Sequence, residues 1–216
     1  MKQLIHTSRH AMTLLAMAAC LTVAATGAQA TTIYDNLAAS QDGADPVQSY
    51  GPLANSFNTG ADAGLLSGVS VLLKSGSNEL IGDLQVKLLA NNGSAPGAEL
   101  LSLGSLSTAS VSTAGFASYN FAPATSFSLS ANTTYWVEVL TTAPIDIEWS
   151  WSTDLTSLGV AGQASYSKEL GVLPNSLAGP YQMAVSVTAV PEPASLALVL
   201  VGVALLGGAG ARKARR

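Results

Sequence analysis

The stretch IDIEWSWS, residues 145–152, alternates without a break. Ile145, Ile147, Trp149 and Trp151 share one parity, while Asp146, Glu148, Ser150 and Ser152 share the other. Successive side chains of a strand point to opposite faces of its sheet, so the stretch predicts a half-buried β-strand with its Ile and Trp side chains inward. The same period of two recurs on both sides of it. YQMAVSVTA at 181–189 sets Tyr181, Met183, Val185 and Val187 against Gln182, Ala184, Ser186 and Thr188. GFASYNFAP at 115–123 alternates around Tyr119 and Phe121, and a strong strand is expected over 134–140, after a turn at Ala131-Asn132. Further strands are expected at 65–74 and 82–90, with IYDNL opening the series. Breaks rich in Gly, Ser, Asn and Pro, such as NNGSAPG at 91–97, separate them. The stretch 153–180 reads as a long loop with one strand at 163–168 inside it. No segment between 31 and 190 carries a sustained helical stripe. The expected fold class is all-β: an antiparallel, jelly-roll-like β-sandwich over 31–189.

The two ends have a different character. Lys2 and Arg9 precede an apolar run from Ala11 to Ala25, and Ala28-Gln29-Ala30 follows it. Charge, greasy run and small residues at two alternate positions form a secretory signal pattern, with Ala28 and Ala30 at the cleavage site. Residues 1–30 are therefore set aside from the fold, with signal peptidase and the Sec translocon as expected partners. A lipoprotein reading through Cys20 is weaker, because the apolar run continues past the cysteine.

At the other end, 194–211 carries neither charge nor proline, and Arg212, Lys213, Arg215 and Arg216 follow. Eighteen residues at ~1.5 Å each span about 27 Å as a helix, close to the ~30 Å hydrocarbon thickness of a bilayer. The expectation is a transmembrane helix over 194–211 whose basic end stays cytoplasmic. Pro191, Glu192 and Pro193 stand just before it, and the prolines favour an extended chain there.

Pro191-Glu192-Pro193, a short apolar run and an Arg-rich end, in that order within 190–216, resemble the PEP-CTERM protein-sorting signal. That resemblance implies processing by an exosortase, a membrane-embedded transpeptidase of Gram-negative bacteria that make extracellular polysaccharide. The implied route is export, anchoring in the inner membrane, then the cell surface or extracellular matrix. YDNL, LANSFNTGADAGLLSGVSVLL at 53–73, the Pro-Gly of SAPGAEL and LSANTTYWVEV at 129–139 are in turn similar to the choice-of-anchor R domain. That family implies an exported β-rich domain and carries no active site to transfer.

Between 31 and 190 there are three lysines, no arginine and twelve acidic residues, a formal charge of −9. Such a domain offers no footprint for nucleic acid. His6, His10 and Cys20 all lie before residue 31. The remainder therefore lacks the side chains for Ser-His-Asp or Cys-His catalysis, for His- or Cys-ligated metals and for disulfides. No cofactor is expected; oxygen-only Ca²⁺ binding by Asp35, Asp42, Asp45 and Asp62 stays open. Trp149 and Trp151 read as core. Trp136 has the opposite parity from Tyr135, Val137 and Val139 and is the expected exposed aromatic, a candidate glycan contact. Asp146 and Glu148 are a carboxylate pair that a glycoside hydrolase would need.

The primary expectation is a non-catalytic surface or matrix protein linked to extracellular polysaccharide or biofilm. The alternatives are a carbohydrate-binding module around Trp136 and a carboxylate-dependent glycoside hydrolase. Since no thiol remains after residue 30, melting of the processed domain should be the same with and without dithiothreitol; calorimetry in both buffers checks this.

Overall fold

In a computed structural model of the chain, the structure describes residues 29–61, 64–76, 82–142, 146–174 and 179–189. Their compact unit runs from Gln29 to Ala189 and is all-β, built on two antiparallel sheets. The expected signal peptide and the expected transmembrane helix at 194–211 lie outside the described residues. Among those residues, no helix is long and apolar enough to cross a membrane.

The first sheet is organised by β4 (Gly64–Ser75), whose LLSGVSVLLK core sends Val69, Val71 and Leu73 inward. On one side it pairs with β13 (Met183–Thr188) and β10 (Ile147–Trp151). On the other it pairs with β7 (Ala117–Phe121) and β8 (Ser128–Leu129). β1 (Ala30–Asp35) closes one margin on β13, and β2 (Gly43–Pro46) extends the sheet beyond β10. The second sheet runs β12 (Gly171–Pro174), β11 (Ala164–Ser167), β3 (Leu53–Asn58), β9 (Thr134–Thr141), β5 (Asp83–Asn92), β6 (Ala95–Ser107). One helical turn, α1 (Val47–Tyr50), and a 3₁₀ turn at Thr108–Ser110 interrupt the strands.

The period-two faces meet between the sheets. Val71, Leu73, Trp149, Met183 and Val185 from the first sheet share one core with Leu53, Phe57, Leu84, Val86, Val137 and Val139 from the second. β13 keeps its expected alternation from Met183 onward, and Ile147 and Trp149 are inward as expected. Trp151 is half-buried and packs on the core edge. A Cβ on Gly43, its cross-strand partner, would lie 2.2 Å from the indole. Gly179, at φ +67°, passes the same ring and leaves no room for a side chain beside the Ser152 carbonyl.

β2, β3 and β12 were not expected from the sequence. In β3 the alternation is hidden because Asn55 and Ser56 are both buried. Asn55 belongs to a cluster of three buried amides that fixes the chain at 179–183. Its Nδ2 donates to the Tyr34 hydroxyl at 3.0 Å, and its Oδ1 accepts the Tyr181 N–H at 3.2 Å. Asn36 Oδ1 accepts the Met183 N–H at 2.8 Å, while its Nδ2 donates to the Tyr181 carbonyl at 3.3 Å. Gln182 Nε2 donates to the carbonyls of Asn36 and Ala39, and its Oε1 accepts the Ser150 hydroxyl at 2.6 Å. A buried amide is tolerated only when its donors and acceptors are met, and here they are met by nearby backbone groups and by the Tyr34 and Ser150 hydroxyls.

Replacing Asn55 by Ala leaves the Tyr34 hydroxyl and the Tyr181 N–H unsatisfied in the core. At about 1–3 kcal/mol for each of the two stranded groups, the expected loss is about 2–6 kcal/mol. Asn120→Ala, on the exposed face of β7, should cost under about 0.5 kcal/mol. Urea titration of the two variants checks the contrast.

Candidate functional site

The strand parity that made Trp136 look exposed is correct, but the face it points to is not open. Trp136 is 1% exposed. It sits on the outer face of the second sheet between Leu89 on β5 and Ser56 on β3. Leu89 and Ala54 are buried with it, and Ala164, Tyr166 and Val172 pack against that group. Its indole N–H donates to Asn91 Oδ1 at 2.8 Å. The expectation of an exposed glycan contact at Trp136 is therefore corrected: the ring is a second, smaller core. The outer face of a central strand accumulates neighbours from both sides, and this is not visible in the alternation of one strand.

Beside Trp136, Lys87 pairs with Glu99 at 2.8 Å. Glu138, across from Lys87, has its carboxyl raised above the ordinary range, mainly by burial; Lys87 opposes that rise and Glu99 adds to it. On the first sheet Glu148 is held by Lys74 at 2.8 Å, and the Lys74 ammonium stands 5.2 Å from the centre of the Phe116 ring. Asp146 precedes β10, where its carboxylate folds over Gly76. The two acids of the hydrolase alternative thus differ: one is neutralised by a lysine, the other lies outside the strand.

The calcium candidates are dispersed. Asp35 Oδ1 accepts the Leu37 N–H at 3.0 Å in a local turn. Asp42 Oδ2 accepts the Thr153 N–H at 2.7 Å and the Thr153 hydroxyl, and these bonds hold its carboxyl below the usual range. Asp45 Oδ2 accepts the Tyr181 hydroxyl at 2.7 Å. Burial and the facing Asp45 carboxylate keep that phenol protonated far above its ordinary range. Asp62 lies outside the described residues. Among the described residues no three His, Cys, Asp or Glu side chains converge as a metal would require. Among the described residues, one open cleft of about 460 Å³ is bordered by Gln48, Thr142 and Lys168, and another of about 340 Å³ by Asp35, Asn36 and Asp154.

The sorting residues Pro191, Glu192, Pro193, Arg212, Lys213, Arg215 and Arg216 lie outside the described residues, as does Ala28. Ala30 opens β1 and pairs with Thr188, the last residue of β13. Residues 189–216 match the PEP-CTERM protein-sorting motif, beginning at the residue after that last strand. The motif implies an exported protein of Gram-negative bacteria, anchored in the membrane in transit, with an exosortase as its processing partner. No curated protein matches the chain.

Two outcomes follow for this surface. Trp136→Ala should cost about 3–5 kcal/mol as a large-to-small change in a packed cluster, read as a lower denaturant midpoint. Glu138→Gln should remove a pH dependence. Its folded-state carboxyl is raised above the unfolded value of 4.5, so the unfolded chain ionises first and wild-type stability falls as pH rises through that window. The variant should melt higher than wild type at neutral pH, and the gap should close below about pH 4.5. Thermal scans from pH 4 to 8 measure it.

Proposed function

We propose that this chain is a non-catalytic surface or matrix protein whose 31–189 domain is of the choice-of-anchor R type, linked to extracellular polysaccharide or biofilm. On this reading a signal peptide ending at Ala30 exports it. The apolar run at 194–211 holds it in the inner membrane until an exosortase acts at Pro191-Glu192-Pro193. The observation that carries the reading is the sorting motif at 189–216, which begins where the folded β domain stops. Three features support a role without catalysis. No His or Cys lies beyond residue 20. Glu148 is committed to Lys74. The aromatic best placed by parity for a sugar, Trp136, is in a core. The domain works as a stable acidic body delivered by its tail.

Replacing Pro191-Glu192-Pro193 by three alanines should leave the protein at full length in the membrane fraction. Replacing Arg212, Lys213, Arg215 and Arg216 by glutamine should instead weaken the anchor, since a charge costs about 2.5–3.5 kcal/mol at the bilayer centre and now no charge opposes translocation. Fractionation with an antibody to the β domain separates the two, and normal release of the alanine variant would refute the proposal.

A further inference from the structure

The registers place both ends of the domain at one pole. Thr31, the first residue after the proposed signal-peptide cleavage, pairs with Val187, and Val187 and Thr188 pair on the other side with Leu66 and Leu65 at the start of β4. Gly64 pairs with Leu129, and Asn58, which leads into β4, pairs with Thr134. Two loops that meet there are tied together. Thr59 Oγ1 donates to the Ser130 carbonyl at 2.7 Å, the Thr59 N–H donates to the Thr133 carbonyl at 3.1 Å, and the Thr133 N–H donates to Thr59 Oγ1 at 3.0 Å. In a domain of net charge −9, the loops 59–63 and 130–133 contain one ionisable residue, Asp62. A nearly neutral pole is the end of an acidic body that an anionic membrane surface repels least.

The chain leaves this pole with little slack. From Thr188 to Pro191 is three residues, a reach of about 10 Å at most. A domain of this size has a radius of gyration of about 15 Å. Peptide clefts take their substrates as extended strands. Val187 and Thr188 are already extended, but Val187 is held between Thr31 of β1 and Leu66 of β4, Thr188 pairs with Leu65 of β4, and the Thr188 hydroxyl is bonded to Ser67 Oγ.

We propose that the Thr31–Thr188 pole is the end of the domain that docks on the membrane-embedded sorting protease, and that processing waits on release of the last residues of β13 from β1 and β4. The fold then gates its own detachment. The gate rests on the sorting reading above. Opening is local, because only the end of one strand has to fray, and strand ends are the least stable parts of a sheet.

The test is a lock and a spacer in the full chain expressed with its exosortase. Ser67→Cys with Thr188→Cys puts two thiols where two hydroxyls now hydrogen-bond, and oxidation in the envelope fixes the end of β13 to β4. Processing of the locked chain should slow by about tenfold or more against the same chain kept reduced. Eight Gly/Ser residues inserted between Ala189 and Val190 should restore the rate of the locked chain and accelerate the unlocked one. Equal rates for locked and reduced chains overturn the gate, as does a spacer that leaves the unlocked rate unchanged. Release of the unaltered chain in cells lacking the exosortase overturns the sorting reading itself, and the gate with it.

Discussion

The three buried amides of Asn36, Asn55 and Gln182 are the constraint on which the rest of the domain depends. They bond the Tyr181 and Met183 N–H groups and the Tyr181 carbonyl of a segment that also pairs with β10 through Tyr181 and Gln182 and with β4 through Gln182 and Met183. Asn36 follows β1, Asn55 is on β3 and Gln182 reaches Ser150 on β10, so the cluster joins both sheets. It also sets the Tyr181 ring against Trp149, 4.7 Å between centroids and 18° from parallel, and aims the Tyr181 hydroxyl at Asp45. In a low-dielectric interior such bonds are strong when complete and costly when broken, so the cluster favours one register over its neighbours.

Position at the chain's two ends makes that register consequential. β1 and β13 are adjacent in the sheet though they open and close the domain, and β4, on the other side of β13, carries four neighbours. Contacts of such long sequence separation form late, because loop closure must precede them. During N-to-C export the sheet is therefore complete only once β13 has emerged, immediately ahead of the sorting tail. A domain built this way couples the finishing of its fold to the arrival of its anchor.

The described surface of the domain is acidic, with its charges largely committed to local partners. Between 31 and 190 two of the three lysines are paired with glutamates, so the acidic excess falls on loop carboxylates that accept nearby hydroxyl and N–H groups, as Asp42 and Asp154 do. The apolar surface of the second sheet is consumed by its own side chains around Trp136.

Read alone, the sequence determined the all-β class, because period-two alternation in 65–74, 134–140, 145–152 and 181–189 is a local property that the pleat converts directly into two faces. It also determined the sorting motif, a linear signal whose parts are adjacent in the chain. Tertiary structure alone decided three things. The buried polar β3 became a central strand because Asn55 finds its partners 21 and 126 residues away, and no local pattern encodes them. Trp136 became core because neighbours from β3, β5 and β11 close over a face whose parity was legible but whose coverage was not. The two ends came together because Ala30 and Thr188 meet only through a sheet assembled from the whole chain, and strand pairing across such distances is set by core packing rather than by the residues that pair.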